Sequence, residues 1–254
     1  MTPARDGTGA LALGYSSLAL FGLSILVLIF FLLQGVDGPA DGSDNLFWDS
    51  ERSAAGMGGD NAVAFNTLLI LAWGFFHSLL ARPALRTQWQ KLLKPHLQPA
   101  VYSIVASAGL ILVCYLYKRM PHEVYELRGS AAFLARVVFY AAWGLFVYSF
   151  MHIDPLDVAG VRQILDYLKQ TDRPPEPFQP SGPFLWCRHP VEFAFLVAFW
   201  AAPRMTVGHL LFATLMTLYT IIGIDLEDRR MLDRCGPAYL EYMRRVPQLL
   251  PWPR

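Results

Sequence analysis

The stretch CRHPVEFAFLVAFWAAPRMTVGHLLFATLMTLYTIIGI, residues 187–224, contains two apolar runs separated by Pro203-Arg204. The first run is short and begins with Arg188-His189-Pro190, and it carries Glu192 among apolar residues. The second run, Met205 to Ile224, follows at once, so the pair predicts a tight antiparallel hairpin of membrane helices. Charged side chains are costly in lipid, which makes the start of the hairpin a candidate site as well as a membrane boundary.

The rest of the chain has the composition of a membrane protein. Of its 254 residues, 54% are apolar and 16% are charged, whereas a soluble domain carries about 25% charge. The predicted fold class is therefore an all-α integral membrane protein with about six transmembrane helices and a cytoplasmic C-terminal helical tail. The net charge of +1 gives no reason to expect nucleic acid as a partner. The predicted spans are Leu11–Leu33, Asn61–Ala81, Pro99–Tyr117, Val137–Ile153, the run from Pro190 to Pro203, and Met205–Ile224.

Loop charges predict how the helices are oriented. The loop Gly35–Asp60 holds six acids against Arg52 alone, whereas the loop after the second span holds four basic residues and no acid. By the positive-inside rule the first loop is outside and the second cytoplasmic, which puts both termini in the cytoplasm of a bacterial inner membrane or a eukaryotic endomembrane. The basic third loop, Lys118 to Arg136, runs against this alternation. We also expect two parts: residues 1–60, an N-terminal helix with an acidic outer loop, and residues 61–254.

Helix-breaking residues predict the form of the tail. Residues Asp225–Arg234 continue the sixth helix into water, and Gly236-Pro237 breaks it. A second short helix, Ala238–Arg245, then places Glu241 within reach of Arg244 or Arg245. Upstream of the hairpin, five prolines between positions 174 and 183 predict an extended linker.

Several kinds of site are not indicated. Six histidines show no HxxxH or HxxHH spacing, and the three cysteines are far apart and odd in number. These patterns speak against a di-iron site, a zinc site and a disulfide framework, and no metal is expected. The chain also lacks a G-x-S-x-G elbow and a Walker A loop.

Two motifs at the ends of the hairpin carry a family resemblance. The sequence RHP is followed, after the hairpin, by E-[ED]-x(7)-G-x-x-Y-x-x-Y-x(4)-P-x(3)-P, here EDRRMLDRCGPAYLEYMRRVPQLLP. This pattern resembles the isoprenylcysteine carboxyl methyltransferase superfamily. Upstream, HSLLARP and the run containing Asp154, Asp157, Gly160, Arg162 and Gln163 are similar to the branch that holds methanethiol S-methyltransferases and nurim.

The resemblance implies a membrane methyltransferase that uses S-adenosylmethionine (SAM) at the cytoplasmic face. Its acceptor would be a small thiol or another lipophilic nucleophile, and membrane lipid would surround it; the oligomeric state is not indicated. Carboxylates and aromatic faces favour a sulfonium such as SAM. The cofactor-binding residues that the resemblance implies are His189, Pro190, Glu227, Asp228, Tyr239 and Tyr242.

Further residues are candidates for catalysis and for the acceptor. Arg188 and Arg162 could lower the pKa of a thiol acceptor, because cations favour the thiolate. Glu192 stands where relatives carry tyrosine, and Ala194 where they carry glycine, so Glu192 is either a substrate contact or a sign of altered activity. The expected substrate-binding residues are His77, Gln163 and Asp157. The alternative function is that of a nurim-like, non-catalytic membrane protein with a structural or interaction role.

Overall fold

A computed structural model describes residues 3–38, 61–82, 85, 88–89, 92–171 and 178–249. Most of these residues are helical, as predicted. Among them, five helices are long and apolar enough to cross a membrane. The helices are α1 (Pro3–Leu33), α2 (Asn61–Leu80), α3 (Gln98–Leu116), α4 (Gly129–Phe150), α5 (Pro155–Val158), α6 (Val161–Lys169), α7 (Pro190–Trp200), α8 (Val207–Cys235) and α9 (Pro237–Arg245).

All six predicted apolar runs are helical. Five of them are the long helices α1 to α4 and α8, and the sixth is the 11-residue α7, which is short, as the sequence indicates. Helix α4 begins at Gly129, eight residues before the predicted start at Val137. The exposed Arg136 does not end the apolar segment, because a long arginine side chain can extend toward the membrane interface. Orientation in the membrane and the division at residue 60 stay predictions.

The first of two compact units comprises Met1–Gln34, Gly38–Arg119 and Asp154–Pro174. In it α1 packs against α3 and α6, and α2 packs against α3. The loop before α6 lies close to the start of α3 at Gly160, whose φ is +77°. A Cβ there would lie 2.7 Å from the carbonyl carbon of Pro99. Because only glycine combines that φ with that contact, Gly160 fixes the loop before α6 against the start of α3.

The second unit comprises Gly35–Asp37, Met120–Ile153 and Pro175–Arg254. Here α7 packs against α4 and α8, and α9 packs against α8. Two short antiparallel strands, β1 (Glu123–Glu126) and β2 (Arg204–Thr206), join the start of α4 to the turn of the hairpin. The sequence did not predict these strands.

Polar groups hold the turn between α7 and α8. The Thr206 side chain caps α8 by accepting the backbone N–H of His209 at 3.2 Å. The ring Nε2 of His209 lies 2.8 Å from the carbonyl oxygen of Phe199, and the Trp200 indole donates to Thr217 at 3.0 Å.

The buried carboxylate of Asp37 accepts hydrogen bonds from the Met120 N–H, at 2.6 Å, and from the Thr206 hydroxyl. These bonds make the hairpin a fixed scaffold for the residues at its other end.

Candidate active site at the start of the hairpin

The two sequence motifs lie together, as the antiparallel hairpin predicts. Arg188 and His189 precede α7, and Asp228 lies on α8; all three side chains are buried. Arg188 Nη2 donates to Asp228 Oδ2 at 2.7 Å, and His189 Nε2 lies 2.9 Å from Asp228 Oδ1. The Arg-His-Pro motif is therefore joined to the acidic motif through one carboxylate.

The C-terminal tail completes this cluster. The hydroxyl of Tyr239 donates to Asp228 Oδ1 at 2.6 Å. Burial, together with the hydrogen bond to Asp228, raises the pKa of Tyr239 far above its usual value, so the hydroxyl keeps its proton and acts as a donor. Gln248 donates to Asp228 Oδ2 at 3.1 Å and to Asp225 at 2.9 Å. Asp228 therefore accepts four hydrogen bonds from four different side chains.

Arg188 also holds the tail directly. Its Nη1 donates to the carbonyl oxygens of Met243 and Val246, each at 3.1 Å. Its backbone N–H donates to Pro247 at 3.0 Å. These contacts fit a residue that positions α9 and the segment after it. The predicted catalytic role of Arg188 stays a prediction.

The second tyrosine of the motif packs inside the same unit. Tyr242 donates its hydroxyl to the carbonyl oxygen of Phe184 at 2.5 Å, and its pKa is raised mainly by burial. Phe178 packs edge-on against both Tyr239 and Tyr242. The two tyrosines therefore join α9 to the segment that precedes the Arg-His-Pro motif.

Glu192 and Glu227 form the accessible edge of the cluster. A ring nitrogen of His189 and one carboxylate oxygen each from Glu192 and Glu227 lie within 4.8 Å of one another. Glu192 Oε2 is 3.8 Å from His189 Nδ1 and its side chain is 30% exposed, while Glu227 is exposed. Glu192 lies in the first turn of α7, where the helix dipole favours an anion. Two carboxylates beside one imidazole suit a cationic ligand.

Four more predicted site residues lie in the first unit, where each has a partner. Arg162 forms an ion pair with Asp154. Gln163 donates to Asp157 Oδ1 at 2.8 Å. His77 Nε2 lies 3.1 Å from the Tyr102 hydroxyl, an interhelical contact of the kind that holds membrane helices together. Their assignment to a substrate site stays a prediction, as do the roles of Pro190 and the two glutamates.

Two members of the cluster were not predicted from the sequence. Gln248 follows the motif proline Pro247, and no spacing rule distinguishes it from its neighbours. Cys187 directly precedes the Arg-His-Pro motif, and its Sγ lies 3.1 Å from the carbonyl oxygen of Leu249. Its position beside Arg188 in the sequence was the only available signal.

Cys187 is expected to resist alkylation. Burial is the main cause that raises its pKa to about 11, and the thiolate is the reactive form. At pH 8 we expect iodoacetamide to modify Cys187 about 100-fold more slowly than an unperturbed thiol. Peptide mass spectrometry of time points in detergent measures this rate, with the partly exposed Cys235 as internal comparison. Equal rates at the two cysteines would contradict the expectation.

Comparison with known proteins agrees with the motifs. The family described as NnrU protein matches residues 66–249. Methanethiol S-methyltransferase 1 of Bradyrhizobium diazoefficiens is 34% identical over 76% of this chain and 68% of its own length. Methanethiol S-methyltransferase of Mycobacterium tuberculosis is 34% identical over 76% of this chain and 79% of its own length. Nurim of Rattus norvegicus is 26% identical over 67% and 69%.

No solved structure matches the chain. The family match covers well over half of the sequence and includes the hairpin, the acidic motif and the tail to Leu249. The relatives are the two kinds of protein that the sequence motifs indicate. The chain therefore belongs to the NnrU protein family, within the branch that resembles the isoprenylcysteine carboxyl methyltransferases.

Proposed function

We propose that this protein is a membrane methyltransferase that transfers a methyl group from SAM to a small thiol. The observation that carries the proposal is the acidic edge formed by Glu192 and Glu227 beside His189. Glu227 belongs to the acidic motif of the superfamily, and Glu192 follows the Arg-His-Pro motif by two residues. The names of the most similar relatives support methanethiol as the first acceptor to test.

The residues at this edge fit SAM. The cofactor carries a sulfonium and an ammonium group, and both favour carboxylate partners. Glu192 and Glu227 would hold these positive groups, while His189 and Pro190 would border them. When bound, SAM supplies an electrophilic methyl group. The protein's own contribution is to hold the acceptor in near-attack geometry, which can lower much of the barrier to a displacement.

Tyr239, Tyr242 and Asp228 have a positioning role in this proposal. Their polar atoms bond to one another or to the segment around Phe184, so they support the tail. For the acceptor we keep the candidates named from the sequence: Arg188, Arg162, His77, Gln163 and Asp157. The loop charges support a site on the cytoplasmic side, where SAM is available.

The non-catalytic alternative is less favoured. Nurim is 26% identical to this chain, whereas the methanethiol S-methyltransferases reach 34% over a larger share of it. Two substitutions gave weight to the alternative, Ala194 in place of glycine and Glu192 in place of tyrosine. The second adds a carboxylate to the acidic edge. A further carboxylate suits a cationic ligand.

The activity is tested with purified protein in detergent, SAM labelled in its methyl group, and methanethiol. Labelled dimethyl sulfide in the headspace, measured by gas chromatography, is the expected product. Formation of no methylated thiol by folded protein, across a panel of small thiols, would overturn the proposed function.

Charge removal at the acidic edge tests the cofactor assignment. We expect Glu227→Gln and Glu192→Gln each to weaken SAM binding roughly 10- to 100-fold, since a charge-assisted hydrogen bond contributes about 1.5–3 kcal/mol. Binding of S-adenosylhomocysteine, which lacks the sulfonium charge, should weaken less. Isothermal titration calorimetry measures both affinities.

The matched control is Asp233→Asn, which removes the same charge from an exposed position of α8. It should leave both affinities within about twofold, because exposed charges at a distance are screened by salt. If both variants lost affinity for SAM and S-adenosylhomocysteine equally, neither carboxylate would hold the sulfonium, and the assignment would be contradicted. An equal loss in the control would also contradict it.

A further inference from the structure

The carboxylate of Asp228 determines which ring nitrogen of His189 carries the proton. His189 Nε2 lies 2.9 Å from Asp228 Oδ1. The same carboxylate accepts hydrogen bonds from Arg188, Tyr239 and Gln248. A carboxylate in this setting can only accept hydrogen bonds, so Nε2 must be the donor. In the neutral ring the lone pair then resides on Nδ1.

Nδ1 faces the acidic edge. It lies 3.8 Å from Glu192 Oε2, which is beyond hydrogen-bond distance. Glu227 lies within the same 4.8 Å group. A basic nitrogen, Nδ1, thus points toward the candidate cofactor site. On the opposite side of the ring, Nε2 bonds to the buried carboxylate of Asp228. The same arrangement of carboxylate, histidine and reacting group holds the general base of serine hydrolases.

We propose that His189 is the general base of the reaction, accepting the proton of the thiol at Nδ1, with Asp228 as its positioning residue. This inference rests on the proposed function and deepens it, because a thiol must become a thiolate to act as nucleophile. It adds a proton-transfer role to the cofactor contact that the family resemblance implies for His189.

The step balances in atoms and charge. The S–H bond of the acceptor breaks, its proton goes to Nδ1, and the sulfur keeps the electron pair. With that pair the sulfur forms the new S–CH₃ bond, while the pair of the broken bond stays on the sulfonium sulfur and neutralises it. The proton on Nδ1 is then released to water, which returns His189 to its starting form.

The groups around His189 are consistent with this role. Glu192 on α7 and Glu227 on α8 lie on the Nδ1 side. On the Nε2 side, Asp228 forms an ion pair with Arg188. Asp228 also accepts a hydrogen bond from the Tyr239 hydroxyl of α9. The imidazolium that forms therefore has carboxylates on both sides.

A purely structural role of His189 does not need Nδ1. The ring reaches Asp228 through Nε2, and the backbone N–H donates to Gln248 at 3.2 Å. We expect both contacts to survive in His189→Gln, whose amide nitrogen can replace Nε2 as donor. The variant removes the basic nitrogen. His122→Gln, at an exposed histidine of the same unit, is the matched control.

The first test is the dependence of the rate on pH and on the acceptor. We expect His189→Gln to slow methylation of methanethiol at pH 7 by roughly 10²–10⁴-fold, the usual contribution of a general base. Its rate should rise tenfold per pH unit as the thiol itself ionises. An aromatic thiol that is already ionised at pH 7 should restore the variant to within about tenfold of the unmodified protein.

Two further measurements do not depend on turnover. With S-adenosylhomocysteine bound, a thiol added at pH 7 should show the ultraviolet band of a thiolate with the unmodified protein and with His122→Gln, but not with His189→Gln. Nitrogen-15 NMR of histidine-labelled protein should show His189 with its proton on Nε2. This second measurement needs no variant at the site, so a proton found on Nδ1 would overturn the inference even if His189→Gln does not fold.

The outcomes separate this inference from the function on which it rests. If the unmodified protein methylates no thiol, the proposed function fails. If it is active but His189→Gln keeps its pH profile, or the proton of His189 resides on Nδ1, only the general base is overturned. If His189→Gln loses SAM affinity but its methylation rate depends on the thiol acceptor as in the unmodified protein, His189 contacts the cofactor alone.

Discussion

Replacing Asp228 by alanine is expected to lower the free energy of unfolding by about 3–5 kcal/mol, the cost of leaving a buried charge without its partner. The Arg188 and Asp228 side chains are only 6% and 7% exposed. Alanine would leave the guanidinium buried and remove the acceptor of His189, Tyr239 and Gln248. Thermal unfolding in detergent measures the loss, and limited proteolysis between residues 236 and 249 reports whether the tail detaches.

Glu241→Ala is the matched control for this prediction. It removes an ion pair on α9 whose Arg245 and Glu241 side chains are 75% and 48% exposed, and the expected cost is below about 0.5 kcal/mol. In the double variant Arg188→Met, Asp228→Leu, part of the lost stability should return, since neither charge remains buried. An Asp228→Ala protein as stable as Glu241→Ala would show that the buried cluster does not hold the tail.

Gly160→Ala is expected to have the second large effect, a loss of about 3 kcal/mol. Part of this is the left-handed backbone, which costs an L-residue about 1–2 kcal/mol. The rest arises because the new methyl group would meet the backbone of Pro99 and Ala100, and overpacking costs about 1–3 kcal/mol. The loss is measured by thermal unfolding in detergent.

Gly129→Ala separates the two contributions. Gly129 has a similar φ of +55°, but a Cβ there would meet nothing within 4 Å. Its expected cost is therefore the backbone part alone, about 1 kcal/mol. If both variants lose the same stability, the contact between Gly160 and the start of α3 contributes nothing.

The structure clarifies the role of Glu192, which stands where relatives carry tyrosine. From the sequence it was either a substrate contact or a sign of altered activity. Its carboxylate lies next to His189 Nδ1, in the same group as Glu227. In the proposed function it helps to hold a positive cofactor. This role uses a carboxylate, which the tyrosine of relatives would not supply.

The family motif and the hairpin could be predicted because they depend on local pattern. Apolar length determines which segments can span a membrane, and Pro190 and Gly236-Pro237 determine where helices begin or end. The meeting of the Arg-His-Pro and acidic motifs then follows, since α7 and α8 are antiparallel and adjacent. The pairing of Glu241 with Arg244 and Arg245 is confirmed.

The tertiary structure decided which of two neighbouring acids is buried. Glu227 and Asp228 are successive residues of α8, so they point about 100° apart. Both belong to the acidic motif, and the sequence pattern does not indicate which of them is buried. Only the rotation of α8 against α7 and α9 turns Asp228 inward to Arg188, His189 and Tyr239. The same packing leaves Glu227 at the accessible edge.

The sequence by itself determined the membrane class, the hairpin and the motif residues, because these follow from composition and from short-range spacing. The contact of Gln248 with Asp228, 20 residues apart, and the burial of Asp37 against Thr206, 169 residues away, were decided only by the tertiary structure. Such pairings depend on the relative positions of distant segments, which no local pattern records. The pairing of a catalytic candidate, His189, with its buried carboxylate is of this kind.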